Sequence, residues 1–106
     1  MVVRNVSINM KPNSVTEFSR IFEAQAIPAL RKQAGFRDAF AFANENGTHV
    51  TAISLWESKE QADAYHAAGY AEMLKSFASV IDGTPKVRTS SVINSTLATP
   101  AAVAAA

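Results

Sequence analysis

His66 stands four residues after Ala62 and four before Tyr70, a spacing that lays all three on one stripe of a helix. A neutral imidazole on that stripe can accept a phenolic proton near neutral pH, so His66 is the first candidate for proton transfer. Asn5 lies in a segment of alternating polarity and offers an amide to a carbonyl or an oxyanion. Trp56 gives a flat face on which a planar ring can stack, with Tyr65 and Tyr70 as candidates for the mouth of the same pocket. Arg37 could hold an acidic group or stack on the indole, and Ser54 adds a hydroxyl beside it. The candidate set is therefore catalytic His66 and Asn5, with Trp56, Tyr65, Tyr70, Arg37 and Ser54 binding a substrate. Each has a plain structural alternative. His66 could be a partly exposed helix histidine, Asn5 a strand residue satisfied by a neighbour, and Trp56 a core aromatic at a strand end. Tyr65 and Tyr70 could simply pack, and Arg37 could form a surface salt bridge. His49, just after a turn, is expected in solvent.

Other chemistries lack their residues. The chain carries no phosphate-cradling glycine loop and no nucleophile elbow. Its two histidines are far apart, and without cysteine neither a thiolate metal site nor a disulfide framework can form. No cofactor and no metal are expected.

The elements that must position these residues follow from pattern. Val6, Ile8 and Met10 alternate with Asn5, Ser7 and Asn9, which predicts a half-buried strand over Val2 to Met10. Ser14 and Glu17 form a capping-box pattern, and Val15, Phe18, Phe22, Ala26, Ala29 and Leu30 continue at helical spacing. Pro28 falls inside that helix and should kink or split it near Ala24 to Ile27. Gly35 suits the residue just past the helix end. Strands are predicted from Phe36 to Ala43 and from His49 to Trp56, joined by an Asn46-Gly47 hairpin signal. Ser58 and Gln61 cap a helix that could break at Gly69 and then runs on through Tyr70, Leu74, Phe77 and Ile81. A turn at Asp82 to Pro85 leads to a last strand, Lys86 to Asn94. The fold class is α+β, a ferredoxin-like β-α-β-β-α-β order with a four-stranded antiparallel sheet. Residues 1–95 form one domain, and the Ala-rich residues 96–106 read as a C-terminal tail.

A turn at Asn46-Gly47 pairs Ala43 with Val50, Ala41 with Ala52, Ala39 with Ser54 and Arg37 with Trp56. The opposite face then carries Asp38, Phe40 and Phe42 against Thr51, Ile53 and Leu55, with Val6, Ile8 and Met10 a candidate addition. Helices of this fold cover one face only. The bulky face exceeds what a soluble monomer exposes, so a homodimer that buries it is expected. The alternative puts the helices on the bulky face. The small face, lined by Ala39, Ala41, Ala52 and Ser54, either leaves a ligand pocket or is filled by Phe18, Phe22, Leu74 and Phe77.

Lys and Arg number 10 against 9 Asp and Glu, which lacks the basic stripe a nucleic acid requires. No apolar run is long enough to span a membrane, and the N-terminus lacks the order of a secretion signal, so the expected compartment is the cytoplasm.

Leu55-Trp56-Glu57-Ser58-Lys59-Glu60 entering a helix with a later Tyr, then Gly83-Thr84-Pro85 and a final strand, resembles the antibiotic biosynthesis monooxygenase (ABM) domain family. Ile27-Pro28-Ala29-Leu30 followed by Gly35-Phe36 strengthens the likeness, which covers about residues 2–95. The resemblance implies a dimeric α/β barrel made of two sheets packed face to face, each subunit keeping a pocket between sheet and helices. It implies activities such as cofactor-free oxidation of polyphenols to quinones, haem degradation, or isomerisation of a small signalling molecule. Trp56 matches the family's Trp closing the third strand, and Asn5 is placed much like the Asn of the haem-degrading branch. That branch also needs a His on the later helix, where this chain reads Glu72-Met73-Leu74-Lys75. The polyketide-oxidising branch has an Asn four residues before the Trp and a Tyr six after it; here these are Ala52 and Ala62. The expected function is a cofactor-independent monooxygenase-like enzyme acting on a small planar phenolic or quinone-type molecule. In it, removal of a phenolic proton gives an electron-rich anion able to reduce O₂. The alternative is a non-catalytic homodimeric module that binds a small ligand or serves a structural role.

Overall fold

The chain of 106 residues is described by a computed structural model over residues 1–96; the expected C-terminal tail lies almost wholly outside them. Eight residues of alternating burial form β1, Val2–Asn9. Helix α1, Val15–Ile21, follows and widens into a π-helical turn, Phe22–Ala26, before α2, Ile27–Arg31. The wide turn falls just ahead of Pro28, whose missing N–H and bulky ring cannot fit an unbroken α-helix. Strands β2, Phe36–Ala43, and β3, His49–Trp56, form the hairpin. Helices α3, Lys59–Ala68, and α4, Tyr70–Ser76, meet at Gly69, and β4, Lys86–Ser91, closes the sheet. A Cβ on Gly69 would come within 3.1 Å of the Tyr65 ring, so the break also lets that ring lie close to the backbone.

The sheet is antiparallel throughout, in the order β2-β3-β1-β4. Ala43 faces Val50, Ala41 faces Ala52 and Ala39 faces Ser54, as the hairpin arithmetic requires. The loop spans residues 45–48, four rather than two, with the Asn44 N–H donating to the His49 carbonyl and the Asn44 side chain accepting from the N–H groups of Thr48 and His49.

Local expectations fail at four places besides the last helix, which ends at Ser76 instead of running on through Phe77 to Ile81, and Ile81 bridges Met10. The register slips between Phe36 and Asp38, so Phe36, not Arg37, stands opposite Trp56, and Arg37 bulges out to pair with Glu57. Ser14 makes no cap: its hydroxyl donates to the Pro12 carbonyl, and the Glu17 carboxylate is taken by Arg20. Strand β4 ends at Ser91 rather than Asn94 because its partner β1 begins at Val2, opposite Ser91. The fourth is β1, which is turned over relative to expectation. Val6 pairs with Ala52 and Ile8 with Val50, so the apolar set of β1 joins the small face, and Asn5, opposite Ile53, joins the bulky one.

That reversal explains the core. The small side chains of β2 and β3 leave room, and Val6 and Ile8 of β1 with Met10 just past it fill it from the sheet, while Phe18 and Ile21 of α1 and Phe77 at the end of α4 fill it from the helix side. Close packing of such a layer is the main stabilising term. Helices therefore cover the small face. The other face has no helix over it, and there Phe40 is 47% and Phe42 54% exposed, their rings stacked 6.3 Å apart, while Leu55 is buried.

Candidate functional site

Strand β1 carries Arg4 in phase with Val2, Val6 and Ile8, which points a guanidinium into the layer between sheet and helices. Only 3% of Arg4 is exposed. Its guanidinium carbon lies 5.3 Å from the Tyr65 ring centroid and 4.7 Å from that of Tyr70, within cation–π range of both. Its Nη2 donates to His66 Nδ1 at 2.8 Å, and the His66 ring stacks on Tyr70 with centroids 4.9 Å apart. A guanidinium has no acceptor, so Nδ1 offers its lone pair and the proton of the neutral ring sits on Nε2.

The row continues across the sheet. Arg4 pairs with Ser54, and Ser54 Oγ accepts the Trp56 indole N–H at 2.8 Å. Trp56 is fully buried, stacked on Tyr65 at 5.2 Å and met edge-on by Phe36 at 5.6 Å. Rings thus run from Phe36 through Trp56 to Tyr65 and from Tyr70 to His66, with the Arg4 cation joining the two sets.

Beside this row lies a cavity of about 70 Å³. Its wall is apolar, drawn from Val6, Ile8, Ala39 and Ala52 of the sheet and from Phe18, Phe22, Leu74 and Phe77. The helix aromatics thus fill most of the small face without closing it. The polar groups on the wall are Arg4, Ser54, Tyr65 and Tyr70. The Tyr70 hydroxyl is buried and has no hydrogen-bond partner. Burial raises the pKa of both phenols above their ordinary value, against the opposing pull of Arg4. Burial also lowers Arg4 from its ordinary value, chiefly offset by the electrostatic interaction with Tyr65. Near neutral pH the site holds one cation and two neutral phenols.

Of the residues expected here, Ser54, Tyr65 and Tyr70 line the cavity. Trp56 backs it without forming its wall, and His66 sits on the exposed side of α3, reaching the wall through Arg4. Arg37 is on the bulge, bound to Glu57 and away from the cavity. Asn5 looks out from the opposite face of the sheet, because β1 buries its even-numbered residues. Arg4 belongs to no motif in the sequence. Its signal in the sequence is a charge in phase with an apolar alternation, Val2-Arg4-Val6-Ile8.

His49 differs from expectation as well. It is half-buried on the outward face, with Nε2 3.0 Å from Ser7 Oγ and Nδ1 3.3 Å from Asn9 Oδ1. This order of hydroxyl, imidazole and amide resembles a nucleophile with its base. Inner strand β1, however, spends its backbone N–H groups on β3 and β4, leaving none to bind an oxyanion. The cluster serves the hairpin. Among the described residues no group of His, Asp and Glu could hold a metal ion.

The fold recurs in solved structures. A monooxygenase from the gene ActVA-Orf6 of Streptomyces coelicolor, in complex with nanaomycin D, aligns with TM-score 0.76 at 21% identity, over 89% of this chain and 88% of that one. SnoaB, a cofactor-independent oxygenase from Streptomyces nogalater, aligns with TM-score 0.73 at 13% identity, over 90% and 95%. NE2512, a protein of unknown function from Nitrosomonas europaea, aligns with TM-score 0.71 at 15% identity, over 89% and 90%. At these identities the likeness is one of fold. No curated protein matches the chain. The family model for antibiotic biosynthesis monooxygenases matches residues 1–75, most of the sheet and all four helices up to α4, and the chain belongs to that family.

Proposed function

We propose that this protein is a small oxygenase that works without a cofactor, takes a planar phenolic or quinone-type molecule between sheet and helices, and acts as a homodimer in the cytoplasm. Family membership supports a monooxygenase-like role. The observation that carries the finer reading is the Tyr70 hydroxyl, buried without a partner on a side chain that lines an apolar cavity. An unmet donor in such a place marks where a polar group of a ligand belongs.

The chemistry fits an apolar, water-poor site. A phenol loses its proton, and the electron-rich ring carbon para to the oxygen reduces O₂ and bonds to it. One oxygen atom stays on the ring as the second quinone carbonyl, and the other leaves as water with the displaced ring hydrogen and the phenolic proton. The ring supplies all the electrons. His66 is the proton acceptor of this reading, but its Nδ1 lone pair is held by Arg4. Proton transfer to that nitrogen therefore waits on something that draws the guanidinium away. Tyr70 gives its O–H to the ring oxygen, and Trp56 holds the Tyr65 ring in place beneath it.

One observation favours a non-catalytic binding module instead. A cavity of about 70 Å³ holds a few water molecules, and an aromatic ring enters only if the half-buried Phe22, Met73 and Leu74 swing aside. Oxygen-electrode measurements with a panel of naphthols and phenols that keep a hydrogen para to the hydroxyl separate the two readings. Uptake of O₂ that falls at least tenfold in Tyr70→Phe and in His66→Ala is the expected result. No uptake with any member of the panel would leave the binding module as the function.

A further inference from the structure

We infer that Arg4 is the counter-ion for an oxyanion on the ligand, so that the molecules this cavity takes are aromatic anions, either ionised phenols or carboxylates. The inference deepens the reading above and rests on it for the aromatic part of the ligand.

The guanidinium is buried, and among the described residues no carboxylate lies within ion-pair distance of it. The ion pairs that do form, such as Lys59–Asp63, are on the surface. A buried cation is ordinarily neutralised by a partner. Asp63 attracts Arg4 only from beyond ion-pair distance, and the direct contacts of Arg4 are two ring faces and one imidazole lone pair, all of them uncharged donors of electron density.

Those contacts alone could make Arg4 a structural residue. What points to a ligand is the wall it shares. The Tyr70 hydroxyl has an O–H with nowhere to go. The Ser54 oxygen already accepts the Trp56 N–H, which leaves its own O–H to give. Arg4 has further N–H groups beyond the one on His66. Each group belongs to a residue that lines the same cavity, and each has a hydrogen to donate. A constellation of donors around one cation fits an oxygen that carries negative charge and accepts several hydrogen bonds. Where that oxygen belongs to a carboxylate on a phenolic ligand, it also resolves the block on His66, since by taking the Arg4 N–H it releases Nδ1 for the phenolic proton.

Binding tests the inference without requiring turnover. Calorimetric titrations would compare benzoate with benzamide, and 4-nitrophenolate with 4-nitroanisole, each pair being alike in shape and different in charge. The wild-type protein should prefer the anion of at least one pair, and Arg4→Gln should weaken that anion by roughly 10- to 100-fold while changing its neutral counterpart by less than about threefold. A preference confined to benzoate identifies a carboxylate as the source, and one confined to 4-nitrophenolate identifies an ionised phenol. Equal binding of anion and neutral analogue by the wild type would overturn the inference, as would equal losses of both in Arg4→Gln. The wild-type comparison stands even if the variant folds poorly. Anion preference without O₂ uptake would remove the oxygenase reading and leave the anion site; uptake on neutral substrates, indifferent to Arg4→Gln, would do the reverse.

Discussion

The Arg4 guanidinium lies 4.7 Å from the centre of the Tyr70 ring, both residues line one cavity, and the Tyr70 hydroxyl is buried with no partner. The same cation faces Tyr65, so both tyrosines of the chain answer to one charge. Burial raises their pKa values from the ordinary 10.0, and Arg4 pulls the other way. Phenolate absorbance at 295 nm therefore reports this site alone. Its midpoint should lie above that of the urea-denatured chain and rise further in Arg4→Gln. The sign for stability follows. Between the unfolded and folded values the native state keeps protons that the unfolded chain has lost, so stability should fall as pH rises past about 10. A midpoint at or below the denatured value would contradict the burial of these rings.

Ser54 tests the other end of the row. Its oxygen accepts the N–H of a fully buried Trp56, so Ser54→Ala strands a donor away from water. Urea unfolding followed by fluorescence of Trp56, the chain's single tryptophan, should show a loss of about 1–3 kcal/mol. A change within about 0.5 kcal/mol would mean that the indole finds another acceptor.

Most of the architecture is legible in the sequence because it rests on local rules. Alternation marks the strands, Pro28 marks the widened helical turn, Gly69 marks the helix break, and the hairpin fixes Ala41 opposite Ala52. What local rules leave open is which face of β1 meets the helices. Alternation separates Val6 from Asn5 but does not say which one joins Ala52; that is decided by pairing with a strand more than forty residues away. The candidate site inherits this. Reading β1 the wrong way up brings Asn5 to the cavity and hides Arg4. The bulge at Arg37 is equally non-local, since no glycine announces it and the slip lets Phe36 pack its ring edge against Trp56.

The helix-free face makes a prediction about assembly. Phe40 and Phe42 sit on edge strand β2, beside Ile53 of β3, on the side the helices leave open. Residues 91–95 run along the same groove with Ile53 and Leu55 and cover part of it, but Phe40 stays half-exposed. Sedimentation equilibrium should give the mass of a dimer for the wild type. A Phe40→Asp/Phe42→Ser variant, which plants a charge on the face without touching the helix-covered core, should shift the protein to the monomer with its circular dichroism unchanged. A wild-type monomer would refute the proposed assembly.

The cavity itself can be closed. Ala52 lines it from the middle of β3, where a β-branched side chain suits the strand. Ala52→Val adds two methyl groups to a void of about 70 Å³ and should fill most of it. At ~24 cal/mol per Å³, the gain is about 1 kcal/mol, read as a raised urea midpoint at unchanged slope. The same variant should abolish binding of benzoate and 4-nitrophenolate, since a ring needs the space the methyl groups now occupy. Stability and binding then move in opposite directions, as expected of a hole kept open for a ligand at a cost to packing. Loss of stability instead would mean that Phe22 and Leu74 already close over the space in solution, so that the added methyl groups are overpacked against them.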